Sequence, residues 1–229
     1  MSNQYYQLPS GYVLALQPDS AFPHLREALT EPNGLIAIGG DLSSQRLLDA
    51  YQHGIFPWYS EGEPILWWSP NPRMVLFPDE LNVSRSLSKV LSKQLFDIRI
   101  NTAFRDVITA CSQTARPEQS GTWISPEMIE AYCQLHTLGY AISVESWQND
   151  VLVGGCYGVK INRMFYGESM FHHVSDASKV AFVHLVRHLI TNQVGMIDCQ
   201  MRTPLLASFG GREIPREQFI KQLSILVHP

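Results

Sequence analysis

Apolar positions recur with two periods along the chain. A period near 3.6 marks helices, and a period of 2 marks half-buried strands. Residues 45–54, QRLLDAYQHG, follow Ser43 and Ser44 and carry Leu47, Leu48 and Tyr51 as an apolar stripe. The spacing predicts a capped helix ending at Gly54. A second helix is predicted over 84–95, with Ser84 as N-cap and Leu87, Val90, Leu91 and Leu95 on one face. FDIRIN alternates and reads as a short strand, and Phe104 to Ala110 reads as helix. Ser125-Pro126 opens another helix, which Gly139 stops. AISVESW, VLVGGCYGVKI and RMFYGESMF then form three strands, the first two joined by a tight turn at Gln148-Asn149-Asp150. SDASKVAFVHLVRHLITNQ is a helix with Ser175 as its cap, GMIDCQ is a strand, and REQFIKQLSIL is the final helix. Upstream, GLIAIGGDLS reads as a strand closed by Gly39-Gly40, whereas residues 56–78, rich in Pro and Trp, are too irregular for one element.

From about residue 97 the order is therefore strand, helices, meander, crossover helix, strand, helix. That order makes a mixed-sheet α+β domain, similar to the GNAT-type acyltransferase fold. A boundary near residue 70 gives a small N-terminal α/β domain over 1–70 and a GNAT-like catalytic domain over 71–229. GNAT enzymes usually grip coenzyme A with a Q/R-x-x-G-x-G/A loop before the crossover helix. The equivalent stretch here, HHVSDASKV, has no glycine, so the acyl carrier is expected not to be coenzyme A.

Composition narrows the class. The 229 residues are 45% hydrophobic and 17% charged, which argues against a disordered chain. No apolar run nears the roughly 18–20 residues of a membrane span, and the N-terminus lacks the basic and apolar regions of a signal peptide. A soluble, cytoplasmic protein is expected. Cys111, Cys133, Cys156 and Cys199 form no CxxC pair, so neither a structural zinc site nor a redox pair is expected. The net charge of −4 argues against wholesale coating of nucleic acid, but not against a local basic patch. Residues 1–70 hold 2 basic and 7 acidic side chains, whereas residues 71–120 hold 7 basic and 5 acidic. Arg85, Lys89 and Lys93 stand at i, i+4 and i+8, opposite the leucines of their helix. They form either a solvated face or a ridge that contacts phosphates.

Several residues are candidates for chemistry. His184 and His188 have zinc-chelating spacing but no HExxH, and surface or core histidines explain them as well. Ser169 lacks the second glycine of a G-x-S-x-G elbow. Glu168 sits in an apolar, aromatic strand, where a carboxylate is either paired or functional. Alternation puts Asp198 and Gln200 on one side of their strand and Cys199 on the other. A carboxylate beside an amide at a strand end can position and deprotonate an amine. Trp58, Trp67, Trp68 and Trp123 lie in loops and segment starts, where they either pack or offer a stacking platform for a nucleobase.

Together the blocks EPNGLIAIGGDLS, RLLDAYQHGIFPWYS, PILWWSPNPRMVLFP, GTWI, LVGGCYGV, FYGESMF, ASK and IDCQ resemble the leucyl/phenylalanyl-tRNA–protein transferase family, over about residues 30–216. The resemblance implies transfer of Leu, Phe or, less well, Met from Leu-tRNA, Phe-tRNA or Met-tRNA. The acceptor it implies is the α-amino group of a protein beginning with Arg or Lys, creating an N-degron, with no metal and no cofactor. It implies that Trp58 and Trp123 hold the terminal adenosine and that Glu168, Asp198 and Gln200 line the reaction centre. Asp198, oriented through Gln200, is then expected to take the ammonium's proton. An apolar pocket for the donor side chain is expected from Cys156, Phe165, Met170 and Ile197, and Arg85, Lys89 and Lys93 are expected on the tRNA phosphates. A monomer is expected. Two departures stand out: Leu205 occupies the place of the family's usual histidine after IDCQ, and some relatives continue beyond the final helix.

Overall fold

The computed structural model describes residues 4–17, 20–114 and 122–228; Gly121 of the GTWI block lies outside them. Two mixed sheets organise the chain. The first has the order β1-β2-β3-β5-β4, from β1 (Gln4–Leu8), β2 (Gly11–Leu16), β3 (Leu35–Gly39), β4 (Phe56–Pro57) and β5 (Leu66–Trp68). The second has the order β12-β6-β11-β10-β9-β8-β7. Its strands are β6 (Arg73–Leu76), β7 (Asp97–Ile100), β8 (Ala141–Gln148), β9 (Val151–Ile161), β10 (Met164–His172), β11 (Met196–Gln200) and β12 (Arg212–Ile214). The meander β8–β9–β10 turns at Asn149 and Asp150, both left-handed, as a tight hairpin requires. Helix α5 (Ala177–Thr191) crosses from β10 to β11, the one parallel pair of this sheet among the described residues. After residue 97 the strand and helix order follows the hydrophobic pattern as far as β11, but a short helix, Pro204–Ser208, and the three-residue edge strand β12 intervene before the final helix.

Helices cover both faces of the second sheet. On one face lie α5 and α2 (Arg85–Ser92), with Leu87, Val180, Phe182 and Leu185 packed against Phe165 and Ile197. On the other lie α1 (Ser44–Gln52), α3 (Phe104–Ser112), α4 (Pro126–Thr137) and α7 (Arg216–Val227). Tyr51, Val107, Tyr132, Tyr166 and Phe219 belong to this second cluster, as do Leu14, Ile36 and Trp67 of the first sheet. The core therefore runs unbroken from one sheet to the other. Gly154 sets the approach of the crossover helix, because a Cβ there would stand 2.5 Å from the Cβ of Ala177.

Helix starts follow the expected chemistry at Ser43, Ser84 and Ser125, whose hydroxyls accept from the backbone N–H groups of Arg46, Leu87 and Met128. Ser175 is not a cap: the residue before α5 is Asp176, at a left-handed φ of 65° and without a side-chain cap bond. Leu95 is half-exposed rather than packed, because α2 ends at Ser92 and Gln94 turns the chain with a φ of 48°. The irregular stretch 56–78 supplies three short strands, two to the first sheet and one to the second. Strands β1 and β2 have no counterpart in the sequence reading. Among the described residues no helix is long and apolar enough to cross a membrane.

Candidate active site

Strands β10 and β11 pair only from Met164↔Met196 to Tyr166↔Asp198. Past that point they part, and each is bulged against its other neighbour, between Gly167 and Ser169 and between Asp198 and Gln200. Bulges re-aim side chains and are common beside active sites. Here they border a cavity of about 380 Å³.

The cavity has three kinds of wall. Cys156, Met170, Phe182, Leu185, Ile197, Leu205 and Leu206 make an apolar end. The last two belong to α6 (Pro204–Ser208). Phe56, Pro57, Trp58 and Trp123 make an aromatic side, and Glu168, Ser169, Gln200 and Thr203 bring polar groups. Trp58, Trp123, Glu168, Gln200, Cys156, Met170 and Ile197, all expected in the site, thus border one space.

Glu168 is the chemical centre of that space. Its Oε1 accepts from the Tyr51 hydroxyl at 2.7 Å and from Nε2 of Gln200 at 3.1 Å. Its Oε2 accepts from the Tyr132 hydroxyl at 3.2 Å, and the two tyrosine hydroxyls also touch each other. Side chains from α1, α4 and β11 therefore converge on one carboxylate of β10. Burial raises its pKa from 4.5 to about 7, helped by the charge of Asp198, while the hydrogen bonds from Tyr51, Tyr132 and Gln200 pull the other way. A carboxylate offers about four lone-pair positions, so three donors leave room for a substrate proton.

Asp198 differs from expectation. It is fully buried and absent from the cavity wall. Arg73 Nε and Nη2 hold its two oxygens at 2.8 and 2.7 Å, and the Arg73 guanidinium is stacked over Phe56 and Phe219. With both oxygens in this buried ion pair, Asp198 is not placed to take a proton from an incoming amine. It acts on the site through the backbone instead. Its Oδ1 also accepts from the Gln200 N–H at 2.9 Å, and Gln200 holds a left-handed φ of 62°. Asp198 thereby fixes the bend that aims the Gln200 amide at Glu168. Phe165 also differs from expectation: it is fully buried and forms no part of the cavity wall, its ring so close to Gly158 that a Cβ there would stand 2.5 Å from its Cζ.

Arg85, Lys89 and Lys93 are exposed, border no part of the cavity and have no ion-pair partner among the described residues. Burial pushes the Cys156 and Cys199 thiols well up, so both stay protonated and poorly nucleophilic. Tyr51, Tyr132 and Arg73 were missed as site-forming residues. A tyrosine on a buried helix stripe carries the signal, because its hydroxyl must find a partner.

Two family models match the chain: leucyl/phenylalanyl-tRNA protein transferase over residues 75–224 and the N-terminal domain of the same transferase over residues 40–71. The leucyl/phenylalanyl-tRNA–protein transferase of Chromobacterium violaceum is 59% identical over 93% of this chain and 92% of its own length. Its counterpart from Flavobacterium psychrophilum is 56% identical over 91% of this chain and 98% of its own length. Among solved structures, L-PGS from Bacillus licheniformis aligns with 88% of this chain and 66% of its own at 8% identity and a TM-score of 0.44. A GCN5-related N-acetyltransferase from Kribbella flavida aligns with 72% of this chain and 59% of its own at 11% identity and a TM-score of 0.38. Those two likenesses are too remote to bear on function.

Proposed function

The chain belongs to the leucyl/phenylalanyl-tRNA–protein transferase family, a family of aminoacyltransferases, and on that premise we propose that it moves leucine, phenylalanine and, less well, methionine from aminoacyl-tRNA to the α-amino group of proteins beginning with Arg or Lys. The product would carry an N-degron, and the enzyme would work in the cytoplasm as a monomer. The observation that carries this reading is the placement of one half-buried carboxylate, Glu168, between an apolar pocket and a tryptophan-lined side of the same cavity.

In this reading the apolar end takes the donor's side chain, and Trp58 with Trp123 stacks the terminal adenosine. The donor is an activated ester, so positioning carries much of the rate. The acceptor's amine attacks the ester carbonyl, the C–N bond forms, and the ribose hydroxyl leaves. The ester C–O bond breaks as Glu168, with its pKa near 7, takes the proton that the nitrogen sheds and passes it to the departing ribose oxygen. Its match to an α-ammonium of pKa about 7.7–8.0 suits a general base at neutral pH. Its negative charge also attracts the basic first residue of the acceptor. Gln200 keeps a second N–H for the substrate, and Asp198 and Arg73 are positioning residues behind it. Arg85, Lys89 and Lys93 contact the tRNA phosphates.

The test is direct. Purified protein is incubated with Phe-tRNA and a peptide starting with Arg, and the peptide's mass is read. A gain of one phenylalanyl residue, absent for a peptide starting with Asp, is expected. No gain from Phe-, Leu- or Met-tRNA would overturn the reading.

A further inference from the structure

A second cavity, of about 220 Å³, adjoins the first. Phe56, Trp58 and Met201 wall both, so the Trp58 indole stands at their boundary. The remaining walls are Pro32, Asn33, Trp68 and Pro70. Trp68 meets Trp58 edge-on, with centroids 5.8 Å apart, and its indole N–H donates to the Trp58 carbonyl at 2.6 Å. The Asn33 amide is fixed by two bonds of 3.1 Å to the Asn71 backbone, one donated and one accepted. One N–H and one lone pair of that amide remain.

These walls select a class of ligand. They are flat and apolar, and no charged side chain lines them, so neither a phosphate nor a basic peptide side chain finds a counter-charge. A neutral planar group with a hydrogen-bonding edge fits both the aromatic walls and the fixed amide. Continuity with the first cavity says where such a group comes from. A tRNA 3′ end is a single strand in which a cytosine precedes the terminal adenosine. A strand whose last base stacks at Trp58 has its next base one step away.

We propose that the second cavity seats the base of the nucleotide preceding the donor's terminal adenosine. The proposal rests on the reading above, in which the adenosine lies at Trp58. A cytosine presents donor and acceptor groups to the Asn33 amide and a π-face to Trp68 and the prolines.

The probes are phenylalanyl-adenosine with a stable 3′-amide link and the same compound extended to CpA, and the readout is quenching of tryptophan fluorescence on titration. One stacked base is worth about 5- to 150-fold in affinity, so CpA should bind tighter than adenosine within that range. The ratio should fall toward one in Trp68→Leu. Asn33→Ala, at an exposed position, should also reduce it, so the test survives a Trp68 variant that fails to fold. Equal affinities in the wild type, or a ratio unmoved by both variants, would overturn the subsite. So would a dependence of peptide affinity on the acceptor's second residue that Asn33→Ala abolishes, since the cavity would then serve the peptide. If neither probe binds, the subsite falls with the reading beneath it. If CpA binds tighter but no transfer from Phe-tRNA occurs, the subsite stands and the proposed reaction fails.

Discussion

The pKa of Glu168 is the quantity on which the proposed chemistry turns, and Tyr132→Phe perturbs it without removing the carboxylate. The hydroxyl of Tyr132 donates to Oε2 at 3.2 Å and opposes the upward push of burial. A hydrogen bond to a charged group has a net worth of about 1.5–3 kcal/mol. At 1.36 kcal/mol per pKa unit, its loss corresponds to about 1–2 units. The carboxyl that titrates near 7 in the wild type should then titrate near 8 or above. The assay is the pH dependence of kcat/KM for transfer to an Arg-peptide. The acceptor's own ammonium contributes the same ionisation to both enzymes, so any displacement of the acid limb belongs to the protein. At pH 7, where the wild-type carboxyl is about half ionised, the variant should lose about 5- to 50-fold in rate and recover as the pH rises. Glu168→Gln, which accepts no proton, should lose about 10²- to 10⁴-fold without recovering at high pH. An acid limb that stays in place in Tyr132→Phe, or a Glu168→Gln enzyme of wild-type rate, would refute Glu168 as the base.

Three other outcomes follow from the same geometry. The Glu168 carboxyl is raised from 4.5 to about 7, so the native state keeps a proton that the unfolded chain has released, and stability falls as pH rises through that window. Glu168→Gln should therefore gain stability relative to the wild type between pH 5 and 8, by at most about 3 kcal/mol and less because the group faces an open cavity; urea unfolding at the two pH values measures it, and a pH-independent difference would contradict it. Asp198→Asn leaves the buried Arg73 guanidinium without its counter-charge, which should cost about 3–5 kcal/mol, seen as a lower urea midpoint, and an unmoved midpoint would show that the pair is not what holds β11 to β6. If Arg85, Lys89 and Lys93 all meet phosphates, replacing the three by Ala should flatten the slope of log K against log salt for tRNA by about 2–3, and an unchanged slope removes them from the interface.

Periodicity made the elements legible and left their partners hidden. Leu87, Val90 and Leu91 announced one face of α2, and the meander announced itself by alternation and by Asn149-Asp150. Strands of two to four residues in 56–78 could not be seen, because their register is set by partners outside the stretch, β5 by β3 and β6 by β11, with β4 in turn paired to β5. The site shows the same division. Glu168 stood out as a carboxylate in apolar company, yet its tyrosine donors lie 117 and 36 positions away. Asp198 was expected to share a side with Gln200 and oppose Cys199, but the bulge after it turns Cys199 and Gln200 together onto the cavity wall, and Arg73, 125 positions distant, claims Asp198 instead. A strand pattern gives the direction of a side chain only where no bulge intervenes, and not whether its charge is spent on another.

That long-range wiring also ties the contact between α1 and α7 to the chemistry. Tyr51 belongs to α1, and α1 meets α7 through Gly54, where a Cβ would stand 2.8 Å from Ile220 Cδ1 and 2.9 Å from Phe219 Cε1. Gly54 also holds a φ of 75°, which an alanine adopts only under strain. Gly54→Ala should push α1 off α7 and lengthen the Tyr51 bond to Glu168, although Gly54 itself lies outside the cavity wall. The acid limb of kcat/KM should then shift upward, as in Tyr132→Phe, with the apolar end of the cavity and its preference among donor side chains unchanged. A stability loss with an unmoved limb would mean that α1 only buttresses the core and that Glu168 keeps its pKa without help from the contact between α1 and α7.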